Sequence, residues 1–453
     1  PDARDGGFFV PWPDALERLA TQLKGKNPAA VVVATDPVGS HLGTIVERFA
    51  STYGARHFSY QPLEEATLRA AIRDVYQQDV MPDFDIENSS YILSFGADFL
   101  NTWVSPVRYA RGYGQFRQGE RSRGRMVHVD SRFSMTGANA DEWVYVRPGR
   151  EGLFALSIAQ VIISEGLGDS QAAEVLTSGG TVDLGVFAPE RVSNDIGVAS
   201  DRIYRIANEF AHGDEENRPS LAIGGGSAAA HTNGLFNLTA IYSLNYLVGS
   251  VGKPGGVVFN PSPVFDDVPV SPGIASFRDW SDLTREMKAG EIEAMLVRGV
   301  DPIYGLPQKL GFREATYDVP LIVSFASHID DTAAMADLIL PENNYLEDWG
   351  SDIPDPCPGY QVIGVQQPVL NPPTDASLIG NFGDILLKVA NTMSEGSMPW
   401  TTMREVVEEG FSKLFDLNRG SIKAVTSAGF WQGALQRGGW WDVAAKSSAP
   451  NIT

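Results

Sequence analysis

Residues 221–256 read LAIGGGSAAAHTNGLFNLTAIYSLNYLVGSVGKPGG, and this stretch decides the fold. The short apolar run at 221–223 predicts a buried strand, and it ends at three glycines, which let a backbone approach a ligand or a helix closely. Apolar residues then recur at helical spacing from Leu235 to Leu247, which predicts a helix whose free N–H groups point back at the glycines. The pattern indicates an α/β unit, in which the turn is either a ligand-binding edge or a plain strand-to-helix connection.

Apolar runs of the same kind recur along the chain, and they end at small, acidic or basic residues. One set lies in the middle of the chain, at 91–95, 126–129, 143–146 and 221–223, and a second set lies on both sides of it, at 29–34, 294–297, 321–324 and 337–340. Such runs are typical of parallel strands that are buried on both faces. In open α/β sheets, ligands sit beyond the carboxyl ends of the strands, at the point where strand order reverses.

The two sets of strands predict an α/β fold with two interleaved, doubly wound domains and mostly parallel sheets. One α/β domain is expected to be inserted into the other. The predicted boundaries give a discontinuous first α/β domain over residues 1–90 and 252–395, an inserted Rossmann-like domain over 91–251, and a helical, tryptophan-rich tail over 396–453.

Composition excludes several classes of function. The 453 residues include 43% hydrophobic and 20% charged residues, enough for a large core, and the formal charge of -21 would repel nucleic acid. No apolar run approaches the roughly 20 residues that span a bilayer. The chain begins at Pro1, lacks an initial Met and shows no signal-peptide pattern, so we expect it to be trimmed or processed. A single cysteine, Cys357, excludes an intrachain disulfide and leaves no set of cysteines for an iron–sulfur cluster or a structural zinc site.

Several segments, in this order, resemble the central two domains of the molybdopterin oxidoreductase (dimethyl sulfoxide reductase) family. They are SFGADF, VHVDSRFSMTGANADEWVYVRPGREGLFAL, HTNG, LVGSVGKPGG, MLVRGVDPIYGLP and DTAAMADLILPENNYLEDWG. In that family two α/β domains face each other, and each holds the nucleotide half of one pterin guanine dinucleotide. The resemblance therefore implies one crevice at the strand ends of each domain.

The resemblance also assigns positions to the cleft. It implies that Gly96 and Asp98 border the pterin-dinucleotide cleft and that Asp130 and Arg132 lie at its ribose and guanine end. It further implies two sets of positions: Gly225, His231 and Asn233 flanking pterin or pyrophosphate, and Gly299 and Asp301 in the second crevice. We expect these positions to be vestigial.

The sequence departs from the family pattern where the chemistry would lie. The family begins with a cysteine-bound iron–sulfur cluster, and it ligates molybdenum through a Cys, selenocysteine, Ser or Asp before the strand that matches 91–95. In this interval Ser59 is either an ordinary polar residue or a metal ligand. The family's Asn-Pro is replaced by Asp98-Phe99, and Phe99 could fill space that a cofactor needs. We therefore expect no catalytic residue, no metal ligand and no cofactor in this chain.

The sequences of two further segments resemble one group within the family, the large subunits of bacterial alternative complex III. These segments are VSPVRYARGYGQFRQGERSRGRMVHVDSR and FWQGALQRGGWW. The resemblance implies a cofactor-free part of a quinol-oxidising electron-transfer complex on the periplasmic face of a bacterial inner membrane. Its expected partners are an iron–sulfur ferredoxin-like domain, cytochrome subunits with haems and integral-membrane subunits. The alternative is the catalytic subunit of a molybdenum-bis(pterin guanine dinucleotide) oxidoreductase.

Two surface features have open interpretations. The basic stretch at 117–125 (RQGERSRGR) is either a solvated loop or a docking site for an acidic partner. Trp431, Trp440 and Trp441 either fold onto the core or anchor an interface.

Overall fold

The strands of the protein are short, and most of them belong to two sheets. The computed structural model describes residues 3–61, 65–118, 122–213, 218–270, 273–370 and 380–450. The strands in these segments are β1 (Arg4–Asp5), β2 (Phe8–Phe9), β3 (Val31–Thr35), β4 (Arg56–Ser59), β5 (Asp83–Phe84), β6 (Tyr91–Phe95), β7 (Arg125–Val129), β8 (Glu142–Val144), β9 (Ser220–Gly224), β10 (Val257–Val258), β11 (Ala294–Arg298), β12 (Ile322–Ser324), β13 (Leu338–Ile339), β14 (Gly350–Asp352), β15 (Gln361–Gln366) and β16 (Gly439–Asp442).

The helices lie between these strands. They are α1 (Trp12–Lys24), α2 (Ser40–Tyr53), α3 (Ala66–Tyr76), α4 (Pro106–Arg117), α5 (Met135–Asn139), α6 (Glu151–Ser164), α7 (Ser170–Leu176), α8 (Pro189–Ile196), α9 (Ser200–His212), α10 (Gly234–Leu247), α11 (Phe277–Lys288), α12 (Pro302–Gly305), α13 (Phe312–Thr316), α14 (Phe382–Met393), α15 (Met403–Asp416) and α16 (Ser427–Arg437). Within the described segments, no helix is both long enough and apolar enough to cross a bilayer.

The chain divides into two units whose bounds differ from the predicted ones. Unit 1 comprises residues 1–64, 263–354 and 362–444, and unit 2 comprises residues 65–262, 355–361 and 445–453. Helix α3, which we had expected in the first domain, belongs to unit 2 because it packs against α10, with the Tyr76 ring against Tyr242 and Tyr246. Most of the predicted tail joins unit 1, where α15 packs on α2 and α16.

The central sheet of unit 2 has the strand order β8-β7-β6-β9, and all of its pairings are parallel. Strands β6 and β9 are buried along their whole length, as their apolar sequences predict. The chain moves outward from β6 to β7 and β8 and then returns to the other side of β6 as β9. Strand order therefore reverses between β6 and β9, which is where doubly wound folds bind ligands.

The central sheet of unit 1 has the order β2-β1-β13-β12-β11-β3-β4. Its strands from β13 to β4 are parallel, and β1 and β2 extend the β13 edge in antiparallel pairs. Val32 and Ala34 of β3 pack with Trp280 and Leu283 of α11 in a buried cluster. Strand order reverses between β3 and β11. The runs at 29–34 and 126–129 lie in different, mostly parallel sheets, so the predicted fold class is confirmed.

Helix α10 is fastened to the sheet of unit 2 by one fully buried amide, that of Asn245. Its Oδ1 accepts a hydrogen bond from Ala222 N at 2.9 Å, and its Nδ2 donates to Ala222 O at 2.9 Å and to the Tyr76 hydroxyl at 3.1 Å. Buried backbone N–H and C=O groups that have no neighbouring strand to pair with need such side-chain partners. Through these hydrogen bonds Asn245 joins β9, α10 and α3 at one point.

Replacing Asn245 with alanine should destabilise unit 2. The change leaves the Ala222 N–H and C=O groups and the Tyr76 hydroxyl without these partners, and we expect a loss of about 2–4 kcal/mol in the free energy of unfolding. Urea unfolding followed by circular dichroism measures the loss. The control is Asn194→Ala in α8, where the side chain is exposed. Equal stability of the two variants would contradict the role assigned to Asn245.

Candidate functional site

The residues assigned to a cleft all follow the carboxyl ends of parallel strands, as the sequence predicts. In unit 2, Gly96 and Asp98 follow β6, Asp130 and Arg132 follow β7, and Gly225 follows β9. His231 and Asn233 precede α10 in the same unit. In unit 1, Gly299 and Asp301 follow β11. Each unit therefore carries its candidate residues at, or one strand away from, the point where its own strand order reverses.

The glycines of unit 2 lie against the chain itself. Gly96 has φ +64°, and a side chain there would meet Ser227 Oγ, with Ala228 N and Gly225 O both at 2.8 Å from its Cβ. A Cβ at Gly225 would meet the indole nitrogen of Trp103. The Trp103 ring is held there by Phe84 and Tyr109, with ring centroids 5.5 and 5.6 Å away. The space that glycine provides at this turn is thus filled by Trp103 and Ser227.

Asp130 is buried, and the chain's own donors satisfy its carboxylate. Its Oδ1 accepts hydrogen bonds from Ser227 Oγ at 2.9 Å and from Arg132 N at 3.2 Å, and its Oδ2 lies 3.6 Å from His128 Nε2. Burial acts to raise the pKa of Asp130, but these partners outweigh burial and hold the pKa below its usual range. The hydrogen bonds of this carboxylate therefore join β7 to the glycine turn after β9.

The carboxylate of Asp98 also accepts its hydrogen bonds from the chain itself. Its Oδ1 accepts hydrogen bonds from Thr136 Oγ1 at 2.7 Å and Thr136 N at 3.1 Å, and its Oδ2 accepts from Arg132 Nη2 at 3.1 Å. Burial acts to raise the pKa of Asp98, yet the hydrogen bonds lower it overall. The neighbouring Phe99 is fully buried and packs edge-on against Tyr113 of α4, so its ring belongs to the core.

Asn233 and His231 lie where the first turns of α6 and α10 meet. Asn233 Nδ2 donates to Gly149 O at 2.9 Å and to Asn237 Oδ1 at 3.2 Å. Asn237 Oδ1 also accepts from Gly152 N at 3.1 Å, so one buried amide joins the two helices. Sequence reasoning missed Asn237, although its spacing of four residues from Asn233 was a usable signal. His231 is exposed.

In unit 1 the glycine at the order reversal is covered by an ion pair. A Cβ at Gly299 would lie 2.5 Å from Asp36 Oδ1. Arg298 Nη1 donates to that same oxygen at 2.7 Å, and Arg298 Nε donates to Glu342 Oε1 at 3.1 Å. Three strand ends, those of β3, β11 and β13, are thereby tied together through charged side chains.

Asp301 caps the backbone that follows. Its Oδ1 accepts hydrogen bonds from Thr332 Oγ1 at 2.6 Å, from Thr332 N at 3.2 Å and from Tyr304 N at 3.2 Å. Its Oδ2 accepts from Asp331 N at 3.2 Å. The carboxylate therefore organises α12 and the loop after β12 rather than presenting free acceptor oxygens.

The arrangement does not fit a pterin dinucleotide at these glycines. Close approach of a ligand to backbone is what glycine permits, and here Trp103, Ser227 and Asp36 make that approach instead. In the described part of the chain, no group of three or more His, Cys, Asp or Glu side chains is placed to hold a metal ion. Ser59 lies at the end of β4, buried, and its Oγ has no hydrogen-bond partner among the described residues.

The two features left open by the sequence can now be placed. In the basic stretch, Arg117 and Arg123 pair with Asp141, and Arg125 pairs with Glu142 and Glu209, whereas residues 119–121 lie outside the described segments. Trp440 and Trp431 are buried, the latter between Trp349 and Phe411, and Trp441 is half-buried. The first two of the three tryptophans thus fold onto the core of unit 1.

Unit 1 also buries carboxyl groups close to the loop after β13. Burial, with the neighbouring carboxylates of Asp384 and Glu342, raises the pKa of Asp348 to about 7, although Asn343 Nδ2 donates to it at 3.4 Å. Burial likewise raises the pKa of Glu342, in spite of its partner Arg298. Nothing in a single sequence shows that such a loop is buried, so these shifted carboxyl groups could not be predicted from it.

Comparisons with known proteins match most of the chain to one protein family. A family model described as molybdopterin oxidoreductase matches residues 2–376. The molybdopterin-binding-like subunit of menaquinone reductase from Nitratidesulfovibrio vulgaris is 28% identical over 396 residues, which cover 83% of this chain and 54% of that protein. Dimethyl sulfoxide reductase of Escherichia coli is 24% identical over 490 residues, covering 92% of this chain and 59% of the relative. The chain thus spans little more than half the length of these curated relatives.

The fold is shared with known structures, of which acetylene hydratase is one. Acetylene hydratase from Pelobacter acetylenicus superposes with a TM-score of 0.71 at 17% sequence identity, and the match covers 88% of this chain and 61% of the other. At this identity the likeness establishes the fold alone.

A substitution at Gly225 tests whether Trp103 fills the turn. Gly225→Ala should lower the free energy of unfolding by about 1–3 kcal/mol, because its Cβ overlaps the indole. In a Trp103→Ala background the same change should cost at least about 1 kcal/mol less, since the obstacle is gone. Gly114→Ala in α4, where a Cβ meets open space, is the control and should be neutral or stabilising. Additive effects of the two substitutions would contradict the contact.

The pKa of Asp348 predicts how the stability of unit 1 depends on pH. Between about pH 4 and 7 the folded protein holds a proton on Asp348 that the unfolded chain releases, so this group lowers stability as pH rises through that window. Asp348→Asn removes the effect. We compare the thermal midpoint of the variant with that of the unchanged protein at pH 5 and at pH 8. The difference in favour of the variant should be larger at pH 8 than at pH 5, by roughly 3 °C or more. Asp318→Asn, at an exposed site, is the control, and parallel behaviour of all three proteins would contradict the burial of a charge at Asp348.

Proposed function

The chain belongs to the molybdopterin oxidoreductase family, and from that premise we propose that it is a cofactor-free structural part of a quinone-linked electron-transfer complex. One observation carries the proposal: Trp103, Ser227 and Asp36 occupy the space at the glycines where strand order reverses. The similarity to the molybdopterin-binding-like subunit of menaquinone reductase supports a link to quinone. In this role the two units brace partner subunits and do not themselves transfer electrons.

The proposal extends to the surroundings of the chain. The resemblance to the large subunits of alternative complex III supports a place on the periplasmic face of a bacterial inner membrane. It also supports partners that carry the redox groups: an iron–sulfur ferredoxin-like domain, cytochrome subunits with haems, and integral-membrane subunits. A chain without redox groups would contribute rigid docking surfaces, for which two α/β units whose strand ends are tied together by hydrogen bonds and ion pairs are suited.

A second candidate function is that of a catalytic subunit with molybdenum-bis(pterin guanine dinucleotide). Ser59 favours it, because the hydroxyl is buried at the end of β4 and has no hydrogen-bond partner among the described residues. The similarity to dimethyl sulfoxide reductase also fits this candidate. A molybdenum site further needs a supporting shell around its ligand. The filled glycine turns make the structural role the stronger of the two.

Elemental and pterin analysis of the complex purified from membranes distinguishes the two candidates. The structural role predicts molybdenum and tungsten far below one atom per chain, and no extractable pterin, while quinone-dependent turnover persists. About one atom of either metal per chain would overturn the proposal and make Ser59 a candidate ligand.

Substitution of Asp130 tests the same proposal through assembly. Asp130→Ala leaves Ser227 Oγ and Arg132 N without their acceptor, which should cost about 1–3 kcal/mol of stability. We expect less of the variant chain to be recovered in the complex, with unchanged turnover per assembled complex. The exposed Asp318→Ala is the control. Normal assembly with lost turnover would favour the catalytic candidate.

A further inference from the structure

At the strand ends of the described part of unit 2, the arginines that we find without an ion pair are Arg147 and Arg150. Both follow β8, both are exposed, and neither side chain has an ion pair or a hydrogen bond with any described residue. The exposed ring of His231 lies beside them, 3.6 Å from where a Cβ would stand at Gly149. Positive side chains thus face outward on a chain whose formal charge is -21.

Nearby acidic groups do not offset this charge. Glu151 follows Arg150 directly, but it is fully buried, and burial raises its pKa. Asp98 is already paired with Arg132. The basic stretch at 117–125 differs, because its described arginines are neutralised by Asp141, Glu142 and Glu209. Arg147 and Arg150 are therefore the cations of unit 2 best placed to meet an external carboxylate.

Exposed apolar side chains lie along the same edge of the sheet. Phe133 follows β7 and is 62% exposed, Tyr145 follows β8 and is 46% exposed, and Phe236 lies in the first turn of α10 and is 51% exposed. The rings of Phe133, Trp143 and Tyr145 contact one another in series, with centroids 5.3 and 6.2 Å apart. Since the carboxyl ends of parallel strands lie at one edge of a sheet, these rings lie at the same edge as the two arginines.

We propose that this edge of unit 2, defined by Phe133, Tyr145, Arg147, Arg150 and Phe236, docks an acidic segment of a partner protein that carries an apolar side chain. Charge complementarity selects the occupant, because an acidic partner would be repelled by most of this surface and attracted here. Arginine and aromatic residues are the types that contribute most at protein interfaces. The proposal deepens the proposed function by giving the chemistry of one partner contact.

Short synthetic peptides labelled with a fluorophore test the edge on the intact chain. One peptide alternates Glu with Phe, a second alternates Glu with Ser, and a third alternates Lys with Phe. Fluorescence anisotropy gives the dissociation constants at low and at physiological salt. The variants are the pair Arg147→Glu with Arg150→Glu, and the pair Phe133→Ser with Tyr145→Ser. The control is Arg111→Glu, since Arg111 is exposed on α4 and is also without an ion pair among the described residues.

The proposal predicts that the Glu–Phe peptide binds most tightly and that added salt weakens it. Each double variant should raise its dissociation constant about tenfold or more, whereas Arg111→Glu should leave it within about twofold. Unchanged binding by the arginine pair would overturn the proposal. So would displacement of the peptide by inorganic pyrophosphate or guanosine monophosphate at equal concentration, which would show a nucleotide site. Failure here, with metal and pterin absent from the complex, would refute the docking edge and leave the proposed function standing.

Discussion

Unit 2 depends on one constraint, which is close packing of the chain against its own backbone. This packing occurs where the order of the strands reverses. Strands β6 and β9 run side by side, and their ends bring Gly96 and Gly225 together, where a Cβ on either residue would clash. Trp103 closes the turn from one side, and Ser227 ties it to Asp130 from the other. The glycines are needed here whether or not a ligand binds, since the neighbouring protein atoms already require them.

In unit 1 the glycine at the reversal of strand order is also packed closely, but against an ion pair instead of an aromatic ring. Arg298 bridges Asp36 and Glu342, and Asp36 covers Gly299. These side chains are partly exposed, and such an ion pair contributes little net stability compared with apolar packing. Loss of one partner would nevertheless leave a partly buried charge without its counter-ion, which is costly. The network therefore fixes the three strand ends relative to one another. In both units, contacts within the chain thus hold the strand ends together, as expected of the proposed scaffold.

The sequence predicted the elements well, because each depends on a local pattern. Apolar runs such as 91–95 and 221–223 marked buried strands, and Asp130 and Gly225 were placed at the correct strand ends. The contacts that give these residues their roles were not predictable. Trp103 meets Gly225 and Asn245 holds Ala222 only through the folded chain, and no periodicity encodes such pairs. The predicted boundary near residue 90 differs from the division between residues 64 and 65 for the same reason, because α3 packs on α10.

A density map of the protein within the membrane complex proposed for it, at a resolution that shows side chains, tests the central claim most directly. The account predicts the Trp103 indole against Gly225 and the Asp36 carboxylate against Gly299, with protein density alone at both turns. Non-protein density of dinucleotide size at either glycine, with Trp103 or Asp36 turned away, would contradict it.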